Sequence, residues 1–148
     1  SLFTAAGEMN DDCLIMDADV FFEISALKKL LSTRGSSFLI DPKSRSAGEE
    51  MMVMGRHGRP SQISKKISKD LEMLGEATGF LKLKRTDAVL LSKILNRLVR
   101  NGSTDVEYEN SYNELMKKRK LGIKKITSFW KEMDFEADLK RIRRRIDA

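Results

Sequence analysis

Apolar residues along this chain fall into two patterns, short unbroken runs and stripes at helical spacing. Cys13 to Met16 is a continuous apolar run, as a strand buried on both faces requires. Ile24, Leu27, Leu30 and Leu31 mark one face of a helix that Thr33-Arg34-Gly35 ends. Phe38 to Ile40 predicts a short strand, stopped at Asp41-Pro42. Met51 to Met54 and Gln62 to Ile63 flank Gly55-Arg56-His57-Gly58-Arg59-Pro60, a hairpin signal with glycine in the connection. Ala77 to Leu83 predicts another strand. Thr86 then offers an N-cap for an amphipathic helix striped by Val89, Leu90, Ile94, Leu95 and Leu98. Asn101-Gly102 ends it. A helix over 109–119, extended segments over 123–126 and 128–133, and a last helix over 135–146 follow. Leu2 to Met9 also shows helical spacing, broken by Asn10-Asp11-Asp12. Lys43 to Gly48 is a polar loop, and Lys65 to Leu74 fits neither period.

Strands and helices alternate without an internal repeat. The expected class is α/β, a Rossmann-like, mostly parallel mixed sheet with flanking helices and a β-hairpin excursion. No composition break divides the chain, so residues 1–148 are expected to form a single domain.

Composition narrows the class. The chain has 148 residues, with 41% hydrophobic and 34% charged positions, which suits a globular domain and excludes a disordered one. No apolar run reaches the roughly 20 residues of a membrane span, and no signal-peptide pattern opens the chain. Cys13 is the only cysteine, so no intrachain disulfide can form, and a reducing, cytoplasmic setting is expected. The net charge of +6 concentrates in the last helix at Lys140, Arg141, Arg143, Arg144 and Arg145. Cations near a helix C-terminus are favoured by its dipole. Few aromatics interleave with them, so no base-stacking platform is indicated. Neither nucleic acid nor membrane is an expected partner. The oligomeric state stays open, a homo-oligomer included.

Two carboxylates carry the candidate chemistry. Asp19 sits in the apolar run from Leu14 to Phe22, and Asp134 closes the run from Phe129. Carboxylates at the C-terminal ends of buried strands project into the crevice where α/β sheets bind ligands. Magnesium favours one or two carboxylates plus substrate phosphates. The pair therefore points to metal-assisted phosphate chemistry. Each has a structural competitor: Asp19 as a loop cap, Asp134 as the N-cap of the last helix. Asp17 and Glu132 each lie two residues earlier. His57, the only histidine, sits at a hairpin turn, which argues against histidine-based catalysis.

Four segments, taken in order, resemble the nucleotidyltransferase superfamily of sugar-phosphate and choline-phosphate transferases. They resemble most of all bacterial choline-phosphate and aminoethylphosphonate cytidylyltransferase-like proteins. The first is Asp12-Cys13-Leu14-Ile15-Met16-Asp17-Ala18-Asp19-Val20-Phe21. The second runs from Gly48-Glu49-Glu50-Met51-Met52-Val53 through Gly58-Arg59 to Ile63-Ser64-Lys65. The third is Gly75-Glu76-Ala77-Thr78-Gly79-Phe80-Leu81-Lys82-Leu83. The fourth joins Tyr108-Glu109-Asn110 to Trp130-Lys131-Glu132-Met133-Asp134-Phe135-Glu136-Ala137-Asp138-Leu139. The family's opening glycine-rich loop, which carries phosphate-binding arginine and lysine, has no counterpart here. The chain is thus expected to be the C-terminal major part of such a domain, N-terminally incomplete.

The resemblance implies a nucleotide-diphospho-sugar transferase-like fold and nucleotidyl transfer from CTP or another nucleoside triphosphate. It implies Asp19 and Asp134 as the catalytic magnesium ligands. The acceptor it implies is a small phosphorylated or phosphonylated amino alcohol, with a sugar 1-phosphate or a non-catalytic binding domain as alternatives. Asp17 is then a supporting or nucleotide contact, Glu132 helps bind metal or acceptor, and Lys65 could reach a phosphate. Glu76, Tyr108 and Glu109 are acceptor-pocket candidates, because carboxylates and an aromatic face suit a cationic amine. Trp130 is expected as core or pocket wall.

Overall fold

A computed structural model describes residues 2–44, 48–103 and 107–147. Residues 45–47 of the expected polar loop lie outside the described residues. After a 3-10 helix at Leu2–Glu8, the elements are β1 (Cys13–Met16), β2 (Val20–Phe22), α1 (Ile24–Leu31), β3 (Ser37–Asp41), β4 (Met52–Arg56) and β5 (Arg59–Ser64). They continue with β6 (Glu72–Leu83), α2 (Arg85–Arg100), α3 (Glu109–Lys118), β7 (Gly122–Lys125), β8 (Trp130–Glu132) and α4 (Glu136–Ile146).

The spine is β6, a strand of 12 residues. Along one edge it pairs with β3, from Ser37 opposite Lys82 to Asp41 opposite Glu76. Along the other edge it serves two partners end to end. Cys13 to Met16 of β1 pair with Leu83 to Phe80, and Met52 to Gly55 of β4 pair with Glu76 to Glu72. The sheet order is β5-β4-β6-β3-β7, with β1 beside β6. The α/β class and mixed sheet are as expected. Strands β1, β3, β4 and β7 point one way, and β5 and β6 point the other. Among the described residues only the β3–β7 ladder is therefore parallel, so the sheet is mixed but not mostly parallel as expected.

Period-2 alternation splits the core between the two faces of this sheet. Phe38, Ile40, Leu81 and Leu83 face a cluster with Ala88, Leu91 and Ile94 of α2 and Tyr112 and Leu115 of α3. Leu39 and Phe80 face the opposite side, against Ala26 and Leu30 of α1 and Ile126. Helices thus cover both faces. At the β5 edge, the Asn113 side chain of α3 accepts from the Ile63 N–H at 2.7 Å and donates to the Ile63 carbonyl at 2.9 Å. The β4–β5 connection turns at His57 and Gly58, with φ of 51° and 71°. Two positive φ values match a type I′ hairpin turn.

Three local expectations change. Strand β6 begins at Glu72, because pairing with β4 orders part of the segment that fits neither period. Helix α2 starts at Arg85, with Lys84 at the N-cap and Thr86 inside the first turn. Its cap comes from afar: the Asp12 carboxylate accepts the Arg85 N–H at 2.8 Å and also bonds Lys84. At α4 the N-cap is Phe135, whose N–H donates to Asp138 at 3.1 Å. Asp134 does not serve as that cap.

Leu39 is fully buried between β3 and α1. Replacing it with alanine should cost about 2–5 kcal/mol, measured by urea unfolding. A loss below about 1 kcal/mol would mean that this face carries little of the fold's stability.

Candidate active site

The site forms where the second edge of β6 changes partner. Between the β1 and β4 ladders lie Ala77, Thr78 and Gly79. The Asp17 N–H, one residue past β1, donates to the Gly79 carbonyl at 3.0 Å. Gly79 has φ +76°, and a Cβ there would stand 2.5 Å from Asp17 Oδ2. Only glycine accommodates both that backbone and that contact. The Tyr108 hydroxyl, just before α3, lies 2.7 Å from Asp17 Oδ1 and 2.8 Å from Oδ2. Its ring meets Tyr112 edge-on at 5.5 Å. Asp17 is thus gripped from β6 below and from α3 at the side.

The other carboxylates come from the β2–β8 ladder, which pairs Val20 with Glu132 and Phe22 with Trp130. The Met133 N–H donates to the Asp19 carbonyl at 2.9 Å, continuing the pairing past the ladder. Asp19 and Asp134 therefore emerge at the same end. Here the structure corrects the expected positions. β1 ends at Met16, so Asp19 lies in the turn entering β2 rather than at the end of a buried strand.

An open cleft of about 520 Å³ is lined by Asp17, Asp19, Tyr108, Glu109, Glu132 and Asp134. Below it, a narrow cavity reaches past Asp17, Gly79 and Tyr108 to Tyr112. Six of the eight sequence candidates thus share one place. Glu76 sits in an adjoining hollow with Asp41, Lys43, Ser44, Trp130 and Lys131, joined to the cleft through Glu132. Trp130 Nε1 donates to Asp41 at 2.9 Å, consistent with a wall position. Lys65 is not among the cleft's lining residues. It pairs with Glu107 at 3.3 Å and Glu49 at 3.8 Å.

Crowded carboxylates leave an electrostatic mark. Glu132 is pushed up from its ordinary 4.5 to about 7, first by burial and then by Asp134, Glu76, Asp19 and Asp17. Burial also raises Asp17, Glu76 and Glu109. The Tyr108 hydroxyl opposes the rise at Asp17, and Ser44 opposes it at Glu76. Such a cluster favours bound protons or a cation. Its donors are all oxygen, which suits magnesium. No group of three such side chains placed to hold a metal is found among the described residues. Magnesium itself accepts one or two carboxylates, with substrate oxygens and water completing its shell. Gly79 and Asp41 are site elements that sequence reasoning missed. A glycine inside a predicted strand was the available signal for Gly79.

No protein-family model matches the chain, and no curated protein matches it. Solved structures do. A CTP:phosphocholine cytidylyltransferase from Streptococcus pneumoniae aligns over 98% of this chain with TM-score 0.70 and 13% identity. An inositol-1-phosphate CTP transferase from T. maritima aligns over 93% with TM-score 0.69 and 16% identity. A UTP-bound UGPase from Acinetobacter baumannii aligns over 97% with TM-score 0.69 and 10% identity. The fold is that of the nucleotidyltransferases. This chain spans 61%, 55% and 54% of those three structures' lengths. The nucleotidyltransferase fold, shared at such low identity, establishes architecture alone. No helix among the described residues is long and apolar enough to cross a membrane.

The raised Glu132 sets a pH test. The folded chain holds this proton more tightly than the unfolded one, whose carboxyl titrates near 4.5. The stability it contributes is full below that value and is lost as pH rises through about 7. In chelated, metal-free buffer the urea midpoint should fall across this window. Glu132→Gln should flatten the fall, and an unchanged slope would remove Glu132 as its source.

Proposed function

We propose that this cleft belongs to a magnesium-dependent nucleotidyltransferase. It would transfer a nucleotidyl group, by preference cytidylyl, to a small phosphorylated or phosphonylated amino alcohol. The observation that carries the reading is the emergence of Asp19 and Asp134 at one end of the β2–β8 ladder, within a nucleotidyltransferase fold.

In this reaction an acceptor phosphate or phosphonate oxygen attacks the α-phosphorus of the triphosphate. The bond from that phosphorus to the bridging oxygen breaks, and pyrophosphate leaves. Little covalent chemistry falls to the protein; alignment and charge stabilisation dominate. Asp19 and Asp134 are the residues to hold magnesium. When bound, the ion supplies charge neutralisation at the phosphoryl oxygens. Asp17, fixed by Tyr108, is placed to accept a hydrogen bond from substrate. Glu132 lies between the cleft and the Glu76 hollow, where metal-side and acceptor-side contacts meet.

The preference for an amino alcohol rests on the lining. Carboxylates and phenol rings surround the inner cleft, and no lysine, arginine or histidine is among its lining residues. An ammonium group gains from such walls through charge and cation–π attraction. The alternative acceptor, a sugar 1-phosphate, is equally compatible with the shared fold. A soluble cytoplasmic setting accords with this chemistry.

The test is pyrophosphate release from CTP by the full polypeptide containing this chain. Phosphocholine, aminoethylphosphonate and glucose 1-phosphate are compared as acceptors. Release should require the amine-bearing acceptor, stop on chelation and return with magnesium. Asp19→Ala and Asp134→Ala should each lower turnover about 100-fold or more. Near-normal rates would remove them from the metal site. Silence with every acceptor and triphosphate would overturn the proposal, while a response to the sugar phosphate alone would shift the acceptor class.

A further inference from the structure

We infer that the Tyr108 hydroxyl is a positioning group, acting on the reaction through Asp17 rather than by bonding substrate itself; the inference rests on the nucleotidyl-transfer reading of the cleft. Its hydroxyl reaches both carboxylate oxygens of Asp17, at 2.7 and 2.8 Å. A hydroxyl has one proton, so a single donor is shared between two acceptors. That geometry centres the phenol on the carboxylate and fixes its rotation. Each carboxylate oxygen retains a lone pair, and Asp17 borders both the open cleft and the narrow cavity.

The seat opposite Tyr108 is equally definite. Gly79 leaves space that a methyl group would fill at 2.5 Å from Oδ2. The backbone of Asp17 is tied to the same glycine at 3.0 Å. Main-chain and side-chain contacts therefore pin Asp17 from three directions. The Tyr108 ring is itself held, edge-on to Tyr112, whose ring is edge-on to Phe38 at 5.8 Å. Tyr112 and Phe38 are buried core residues. A line of packed rings thus connects the core to the carboxylate, so the position of Asp17 is set by the docking of α3 on the sheet. The hydroxyl of Tyr108 bridges both oxygens of Asp17 and also interacts with the Glu109 carboxylate.

A double-mutant cycle on the full polypeptide tests this, scored by kcat/KM for pyrophosphate release and by melting temperature. Tyr108→Phe keeps the ring packing and removes the shared donor. It should lower kcat/KM about tenfold to a hundredfold, the usual range for a hydrogen bond to a charged group. In an Asp17→Ala background the same change should add almost nothing. Asp17→Asn, which keeps an oxygen acceptor for Tyr108, should restore sensitivity to Tyr108→Phe. A purely structural tyrosine would move the melting temperature equally in both backgrounds without this pattern in kcat/KM. Additive losses, or no loss in Tyr108→Phe, would overturn the inference while an active wild type leaves the reading of the cleft standing. A wild type inactive with every acceptor would overturn that reading and this inference with it.

Discussion

The geometry depends on one constraint: β6 must hydrogen-bond two different strands along the same edge. Residues 80–83 belong to β1 and residues 72–76 belong to β4. Between them the strand turns through Gly79, with its positive φ. A continuous partner would have filled that edge and left no opening. The interruption lets β1 end, sends the chain through Asp17 and Asp19 into β2, and creates the cleft that their side chains line. The β3–β6 ladder on the opposite edge shifts register across the same stretch, between the Phe38–Leu81 and Ile40–Ala77 pairs, and there the Thr78 hydroxyl donates to the Leu39 carbonyl at 3.0 Å.

Gathering carboxylates in a half-buried cleft works against folding, since burial and like charge both disfavour ionisation. The structure offsets this unevenly. Asp17 receives a hydroxyl donor and Glu76 receives another. Glu132 is pushed up to about 7, with burial first and then Asp134, Glu76, Asp19 and Asp17 opposing its ionisation. Asp19 and Asp134 are exposed. The residual strain lies at the one point that both the cleft and the Glu76 hollow share. A site tuned only for stability would place an arginine there. Its lining instead leaves charge to be completed by whatever enters.

Much of the fold was legible because periodicity reports burial. Phe38 to Ile40, Ile24 to Leu31 and the stripe of α2 each bury a face whose spacing the sequence displays. The β2–β8 ladder was harder. Each strand has three residues, too few for any period, and the two lie far apart in the chain. The caps were missed for a related reason. Helix α2 is capped by Asp12, 73 residues away, and no local rule anticipates a distant donor–acceptor pair. Among the candidate site residues, those near strand ends shared a visible context. Gly79 and the Tyr108–Asp17 contact, spanning 91 residues, required the assembled sheet. Asp41 was visible only as a strand stop, because its bond to Trp130 also depends on tertiary folding.

The Asn113 amide on Ile63 has a meaning beyond fastening α3 to the sheet. A strand edge offers alternating N–H and carbonyl groups, and another chain can read them as a template. β5 is such an edge, the last in the sheet order. Asn113 imitates one residue of an adjoining strand, donating and accepting as a backbone would. An incoming strand would find Ile63 already occupied and its path crossed by a helix. The same side chain that anchors α3 thereby terminates the sheet, giving the molecule a guarded boundary at β5.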